Sequence, residues 1–167
     1  MKHVLVLAAF VATLGTATSA LALETLMSGQ EAYDKALQSY SCVDYEKAIG
    51  MFRKNAELGH GLSQYMMGIM TEQGQGIDAN VSGAYDWYMR AAKQGLADAY
   101  FALGDLYSRG VGVSKDTVQA YAWFDLADRG GHKLARDMLN SQAVNLGSNQ
   151  IAQANRIASD WLAKLGR

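Results

Sequence analysis

From Ser28 onward, apolar residues fall three and four positions apart, the spacing that gathers them on one side of an α-helix. Ala32, Tyr33, Ala36, Leu37 and Tyr40 share such a side, and the spacing predicts a helix over 29–40. Ser41 to Asp44 reads as a turn. A second helix follows with Tyr45, Ala48, Ile49, Phe52 and Ala56 inward. Strand-like alternation is nearly absent, and the chain has no proline to interrupt a helix.

Further along, the pattern copies itself. Gly59, Gly68, Gly74, Gly76, Ala84, Tyr85, Trp87 and Ala91 recur 36 residues later as Gly95, Gly104, Gly110, Gly112, Ala120, Tyr121, Trp123 and Ala127. Tyr65, Met67, Met70, Ile77 and Tyr88 recur in kind as Phe101, Leu103, Leu106, Val113 and Phe124. A period of this size marks stacked repeats, each one supersecondary unit that buries its apolar face against its neighbours. Ala48, Phe52 and Gly59 keep the same register one period upstream, so the first hairpin is a degenerate copy.

Each copy reads as helix, glycine loop, helix. Gly59 and Gly95 end the preceding helix. Gly68 and Gly104 fall in mid-helix, where Gly costs about 1 kcal/mol against Ala, which predicts a neighbouring backbone too close for a Cβ atom. Gly74-Gln75-Gly76 and Gly110-Val111-Gly112 form the loops, with Ile77 or Val113 expected to plug the core end of each. Asn80 and Asp116 stand where an N-cap is wanted, and Asp116 with Gln119 has capping-box spacing. A third copy starts at Gly131 and decays: Ala135 and Leu139 keep register, but Asn140 replaces the mid-helix Gly. Ile151, Ala154, Ile157, Ala158, Trp161, Leu162 and Leu165 form a last amphipathic helix suited to cover the end of the stack.

The N-terminus differs from all this. Lys2 and His3, the apolar run Val4–Leu14, then small residues and Ala20-Leu21-Ala22 have the form of a signal peptide cleaved after Ala22. The expected fold is all-α: a right-handed α-solenoid of stacked antiparallel helix pairs, about seven helices, preceded by that signal peptide. The expected divisions are 1–22 signal peptide, 23–58 degenerate hairpin, 59–94 and 95–130 repeats, and 131–167 partial repeat with capping helix.

Charge and cysteine content narrow the function. Removal of the leader with Lys2 leaves 14 basic against 16 acidic residues, with no basic block, which argues against nucleic acid. Once the signal is cleaved, nothing calls for membrane insertion. Cys42 is the single cysteine, so no internal disulfide is available; it reads as a half-buried small residue in a turn.

Chemistry-bearing residues mostly have structural explanations. His60 and His132 occupy one repeat position two periods apart, too distant to share a metal, and read as polar residues opening helices after a Gly cap. Met66, Met67 and Met70 resemble a thioether cluster, yet Met67 and Met70 align with Leu103 and Leu106 and read as core. Asp125 and Asp128 fit a solvated face with Arg129. The glycine loops lack the Lys-Ser/Thr of a phosphate loop, and no G-x-S-x-G places a nucleophile. Trp161 reads as core. No catalytic residue, metal site or cofactor is expected.

These positions resemble the Sel-one-like repeat family of tetratricopeptide-like α-solenoids. Gly95, Ala99, Leu103-Gly104, Tyr107, Gly110, Gly112-Val113, Asp116, Ala120, Trp123 and Ala127 follow its pattern, and the copy from Gly59 departs only at Ser63, Thr71, Ile77 and Asn80. The resemblance covers residues 45–139 well. It implies protein–protein scaffolding, with exported bacterial members acting as adaptors in envelope assembly, secretion, signalling or host contact. The disulfide-per-repeat branch is excluded by the missing cysteines.

Recognition should then fall on non-repeating residues of the first helix in each pair. Gln64, Ile69, Glu72, Tyr100 and Asp105 are the candidate binding residues, with Tyr100 the aromatic anchor; Tyr107 matches the family's structural tyrosine. The expected function is an exported, periplasmic or secreted, non-catalytic adaptor for a protein or peptide partner. The alternative is a cell-wall or β-lactam-directed hydrolase with its site in the concave groove. Weak self-association through the decayed third copy is a further expectation.

Overall fold

Glycines with left-handed backbone recur along the chain at the repeat interval, and they set where each helix stops. Gly74 and Gly110 close their helices at φ 71° and 70°, while Gly59, Gly95 and Gly131 turn the chain between repeats at φ 94°, 81° and 84°. The computed structural model describes residues 17–165. Among them every regular element is helical: α1 (Ala17–Ser41), α2 (Tyr45–Glu57), α3 (Gly61–Gln73), α4 (Val81–Lys93), α5 (Ala97–Arg109), α6 (Thr117–Arg129), α7 (Ala135–Ala143) and α8 (Ser148–Lys164). These eight helices exceed the sequence count because the third copy keeps a short α7 of its own. Most of the expected leader, 1–22, lies outside the described residues. α1 begins well ahead of residue 29, since no helix breaker intervenes between Ala17 and Gly29.

The N-caps repeat as the glycines do. The Asn80 side chain accepts from Gly83 N–H at 2.9 Å, and Asp116 accepts from Val118 and Gln119 N–H at 2.9 and 3.0 Å. The Asn80 and Asp116 backbone N–H groups donate to the carbonyls of Thr71 and Tyr107, at 2.8 and 3.1 Å. Each glycine loop is thereby tied back to the helix it leaves. Val113 packs on the core as expected. Ile77 does not plug its loop; it is exposed.

Consecutive helices pack as pairs from α1 through α7, and α8 folds back chiefly onto α6. Within each pair a ring from the second helix fills the notch of the mid-helix glycine in the first. A Cβ at Gly68 would stand 2.3 Å from Tyr88 Cε1, and one at Gly104 would stand 2.7 Å from Phe124 Cδ1. The close neighbour is therefore an aromatic side chain, not the backbone that the sequence suggested. Between repeats the backbone does approach: a Cβ at Gly76 would lie 2.6 Å from the Tyr45 carbonyl oxygen. Gly112 meets Val81, the same position one period later, at 2.8 Å. Phe52, Met67 and Met70 centre one apolar cluster, and Leu103, Leu106, Trp123 and Leu126 centre another that includes Ala154 and Ala158 of α8. Cys42 is exposed at the α1–α2 turn, where the tight reversal leaves no room to bury it.

Candidate functional site

The open surface of a repeat stack is set by which side of each helix the packing leaves over. On α6, the residues Gln119, Ala122, Trp123 and Leu126 form one stripe at helical spacing, and α8 lies against it. Trp123 is 6% exposed. Its ring stands edge-on to Trp161 of α8 at 4.9 Å and stacks on Tyr100 of α5 at 5.9 Å. Ile157 and Leu162 of α8 join the same apolar cluster. A cavity of about 310 Å³ remains beside this junction, lined by α8 together with Tyr85 and Met89 of α4 and Tyr107 of α5. The hydroxyls of Tyr85 and Tyr107 lie 3.3 Å apart at its wall, and burial together with this contact pushes the Tyr85 hydroxyl well above its usual pKa.

At the other end of the described residues, no described helix occupies the groove between α1 and α2. About 710 Å³ opens between α1 and α2, walled by Ser28, Ala32, Met51, Lys54, Leu58 and His60. Leu58 is 79% exposed there. In the later repeats Gln64 is bonded to Gln94 and Tyr100 is stacked on Trp123.

The five candidate binding residues do not share one face. Gln64 is 6% exposed and structural: its amide donates to the Ala56 carbonyl at 3.0 Å and accepts from Gln94 at 2.7 Å. Tyr100, 3% exposed, is beneath the α5–α6 contact and cannot anchor a partner from there. Both corrections have one cause. The repeat index assigns a residue to a helix but not to a side of it. Ile69 is half-buried against both clusters. Glu72 and Asp105 are brought together by Arg109, whose guanidinium lies 2.7 Å from each carboxylate. Glu72 also accepts from the buried Tyr88 hydroxyl at 2.8 Å. The Glu72 hydrogen bond, helped by Asp105, raises the Arg109 pKa against its partial burial, so the guanidinium stays charged. This cluster ties α3, α4 and α5 together.

His60 and His132 occupy equivalent positions with different tasks. His60 caps α3, its Nδ1 accepting from Ser63 N–H at 3.3 Å and lying 2.9 Å from Ser63 Oγ. Its ring leans on Tyr33 at 5.4 Å. His132 stacks on Phe101 at 4.0 Å, with Nε2 3.6 Å from Asp98. Met67 and Met70 are core residues, as is the half-buried Trp161 at the α8 contact. Asp125 pairs with Arg129 at 2.6 Å, while Asp128 bridges to Arg136 at the start of α7 at 2.7 Å. Among the described residues no three His, Cys, Asp or Glu side chains gather as a metal site, and no helix is long and apolar enough to cross a membrane.

Sequence reasoning missed where α8 lies. Its amphipathic spacing was visible, but its choice of α6 was not. The one available signal was the apolar pair Trp123 and Leu126 against Met51 and the charged Lys54 two periods earlier.

Comparison with known proteins agrees with this architecture. The c5321 protein, a protective antigen of uropathogenic Escherichia coli strains with an SLR fold, superposes with a TM-score of 0.77 at 30% identity. The match covers 82% of this chain and 30% of that one. A Sel1 repeat protein from Oxalobacter formigenes gives 0.64 at 27% identity, covering 76% of this chain and 54% of that structure. Chitin synthase regulatory factor 3 of Schizosaccharomyces pombe is 46% identical over 54 residues, 32% of this chain and 6% of its own length. The chain thus spans only a small part of that curated relative and about half or less of each solved structure. Residues 43–60, 61–96 and 97–132 each match the Sel1 repeat, more than half of the sequence, so the chain belongs to the Sel1 repeat family of tetratricopeptide-like α-solenoids.

Proposed function

We propose that this protein is an exported, non-catalytic adaptor that holds a protein or peptide partner in the bacterial cell envelope. The Sel1 fold is a protein-interaction module, and the observation that carries the reading is the division of labour among its polar groups. Glu72, Arg109, Asp128 and Gln64 each join one helix to another, Asp105 and Asp125 pair within their own helices, and His60 caps α3. What is left for function is shape: apolar and basic surface on successive helices. Export rests on the leader-like residues 1–22, and the likeness to a protective antigen supports it. Periplasmic residence follows from the same leader.

The test is crosslinking in intact cells of the native producer followed by affinity recovery of the full chain, with the leader present and with residues 2–22 deleted. A stoichiometric partner recovered only with the leader supports the reading. Recovery of the free chain alone under several growth conditions overturns it.

A further inference from the structure

The repeat symmetry places the α8 footprint at two further positions on the molecule. Stepping back 36 residues from Gln119, Ala122, Trp123 and Leu126 gives Gly83, Asp86, Trp87 and Arg90 on α4, and 36 more gives Lys47, Gly50, Met51 and Lys54 on α2. On α6 three of these four positions are buried. Upstream, Lys47, Gly50, Lys54, Asp86 and Arg90 are exposed, and Met51 and Trp87 are half-buried. Among the described residues the half-buried Trp87 ring packs on the Phe52–Met67 cluster and carries the Arg90 guanidinium 4.6 Å from its centroid. A Cβ at Gly50 would meet nothing within 4 Å, whereas its counterpart Ala122 is 1% exposed. Met51 and Lys54 continue into the groove of about 710 Å³ between α1 and α2.

Resting on the adaptor reading above, we propose that this track takes an amphipathic α-helix of a partner protein, with acidic residues flanking its apolar stripe. The apolar requirement comes from Trp87 and Met51, and from α8, which shows on α6 what kind of element such a stripe accepts. The charge requirement comes from Lys47, Lys54 and Arg90 against Asp86 alone. Neither Lys47 nor Lys54 forms an ion pair among the described residues. α8 itself would be a poor occupant, because Arg156 and Lys164 carry the wrong sign; the occupant is an acidic relative of it.

The probe is a fluorescein-labelled peptide of the α8 sequence, Ser148 to Leu165, carrying Arg156→Glu and Lys164→Glu, titrated with the full chain by anisotropy. Saturable binding is expected, weakened by about tenfold or more in Gly50→Arg, which fills the track, and in the Lys47→Glu, Lys54→Glu pair. All three positions are exposed, and an unchanged thermal midpoint establishes that each variant folds. Absence of saturable binding overturns the proposal. So does binding that neither variant alters, which would put the peptide in the place of α8. Concentration-dependent dimerisation abolished by Gly50→Arg also overturns it, by making a second copy the occupant. If the cellular crosslink survives Gly50→Arg unchanged, the track proposal falls while the adaptor reading stands.

Discussion

Tyr88 stands so close to Gly68 that a β-carbon there would overlap its ring, 2.3 Å from Cε1 and 2.4 Å from Cδ1. Two effects oppose each other in Gly68→Ala. Removing a mid-helix glycine favours α3 by about 1 kcal/mol. Overpacking a filled core costs about 1–3 kcal/mol, and Cδ1 sits too near the fixed end of the side chain to swing away cheaply. The overlap wins. Gly68→Ala should lower the unfolding free energy by a net of up to about 2 kcal/mol, read as a lower urea midpoint with an unchanged denaturant slope. Gly104→Ala, with its nearest ring atom at 2.7 Å, should lose less. A raised midpoint in Gly68→Ala would show that the notch is not filled as described.

The Glu72 cluster separates two kinds of charge. Glu72→Ala strands the hydroxyl of Tyr88, a residue only 2% exposed, and an unsatisfied buried donor costs about 1–3 kcal/mol. Asp105→Ala removes one exposed i,i+4 pair, worth about 0.3–0.5 kcal/mol. Chemical denaturation should therefore rank Glu72→Ala as several times more damaging. Tyr88→Phe should recover much of the loss in the Glu72→Ala background, because the stranded donor is gone. Additive losses in that double mutant would contradict the assignment.

Local grammar was the part of this fold that could be read from residues. Helix ends at Gly74 and Gly110, caps at Asn80 and Asp116, and the inward set Ala48, Phe52, Met67 and Met70 follow from short-range rules that a periodic chain states several times over. Direction around a helix axis was not legible in the same way. Gln64 and Tyr100 were expected on an open face because they vary between copies. They vary because each fills its own interhelical gap, one with an amide pair and one with a stacked ring. Gly68 announced a close neighbour without identifying it, since a period of 36 residues fixes repeat-to-repeat register but not the 20-residue offset to Tyr88 across the pair. Of the proposed track, Trp87 and its basic neighbours were in plain sight. Their meaning depends on α8 having chosen Trp123.

His60 makes stability depend on pH in a definite direction. Asn55 Nδ2 donates to Ser63 Oγ at 2.9 Å, so Ser63 Oγ–H is directed to His60 Nδ1, which also accepts from Ser63 N–H. The fold holds this imidazole neutral with its proton on Nε2. Burial lowers its pKa below the ordinary 6.5, with Asp34 opposing in part. Below 6.5 the unfolded chain takes up a proton that the folded chain resists. The contribution of His60 is thus fully present above that pH and is lost as pH falls through the lowered folded value. Thermal midpoints should fall more from pH 7.5 to about pH 5 in the parent than in His60→Asn, which keeps a capping acceptor but cannot protonate. Equal falls in the two proteins would remove His60 as the source.

Trp161 decides whether α8 is a fixed cap or a loosely held strap. Truncating it to Ala deletes the edge contact with Trp123 at 4.9 Å and opens the cavity of about 310 Å³ already present beside it. Large-to-small changes of an aromatic cost about 3–5 kcal/mol when fully buried; Trp161 is half-buried, so the loss should lie below that range. The loss should also be local. α8 meets the rest of the chain chiefly through α6, whereas α3 to α6 hold one another on two sides. Amide exchange should therefore speed up across Ser148–Lys164 and at the exposed face of α6, with protection in α3 and α4 retained. Newly uncovered Trp123 and Leu126 give a second signature, since an open apolar end of a repeat stack seeks another. Sedimentation velocity of Trp161→Ala should show stronger concentration-dependent association than the parent. If exchange instead accelerates uniformly from α2 to α8, the stack unfolds as one unit and α8 is as integral to it as any repeat.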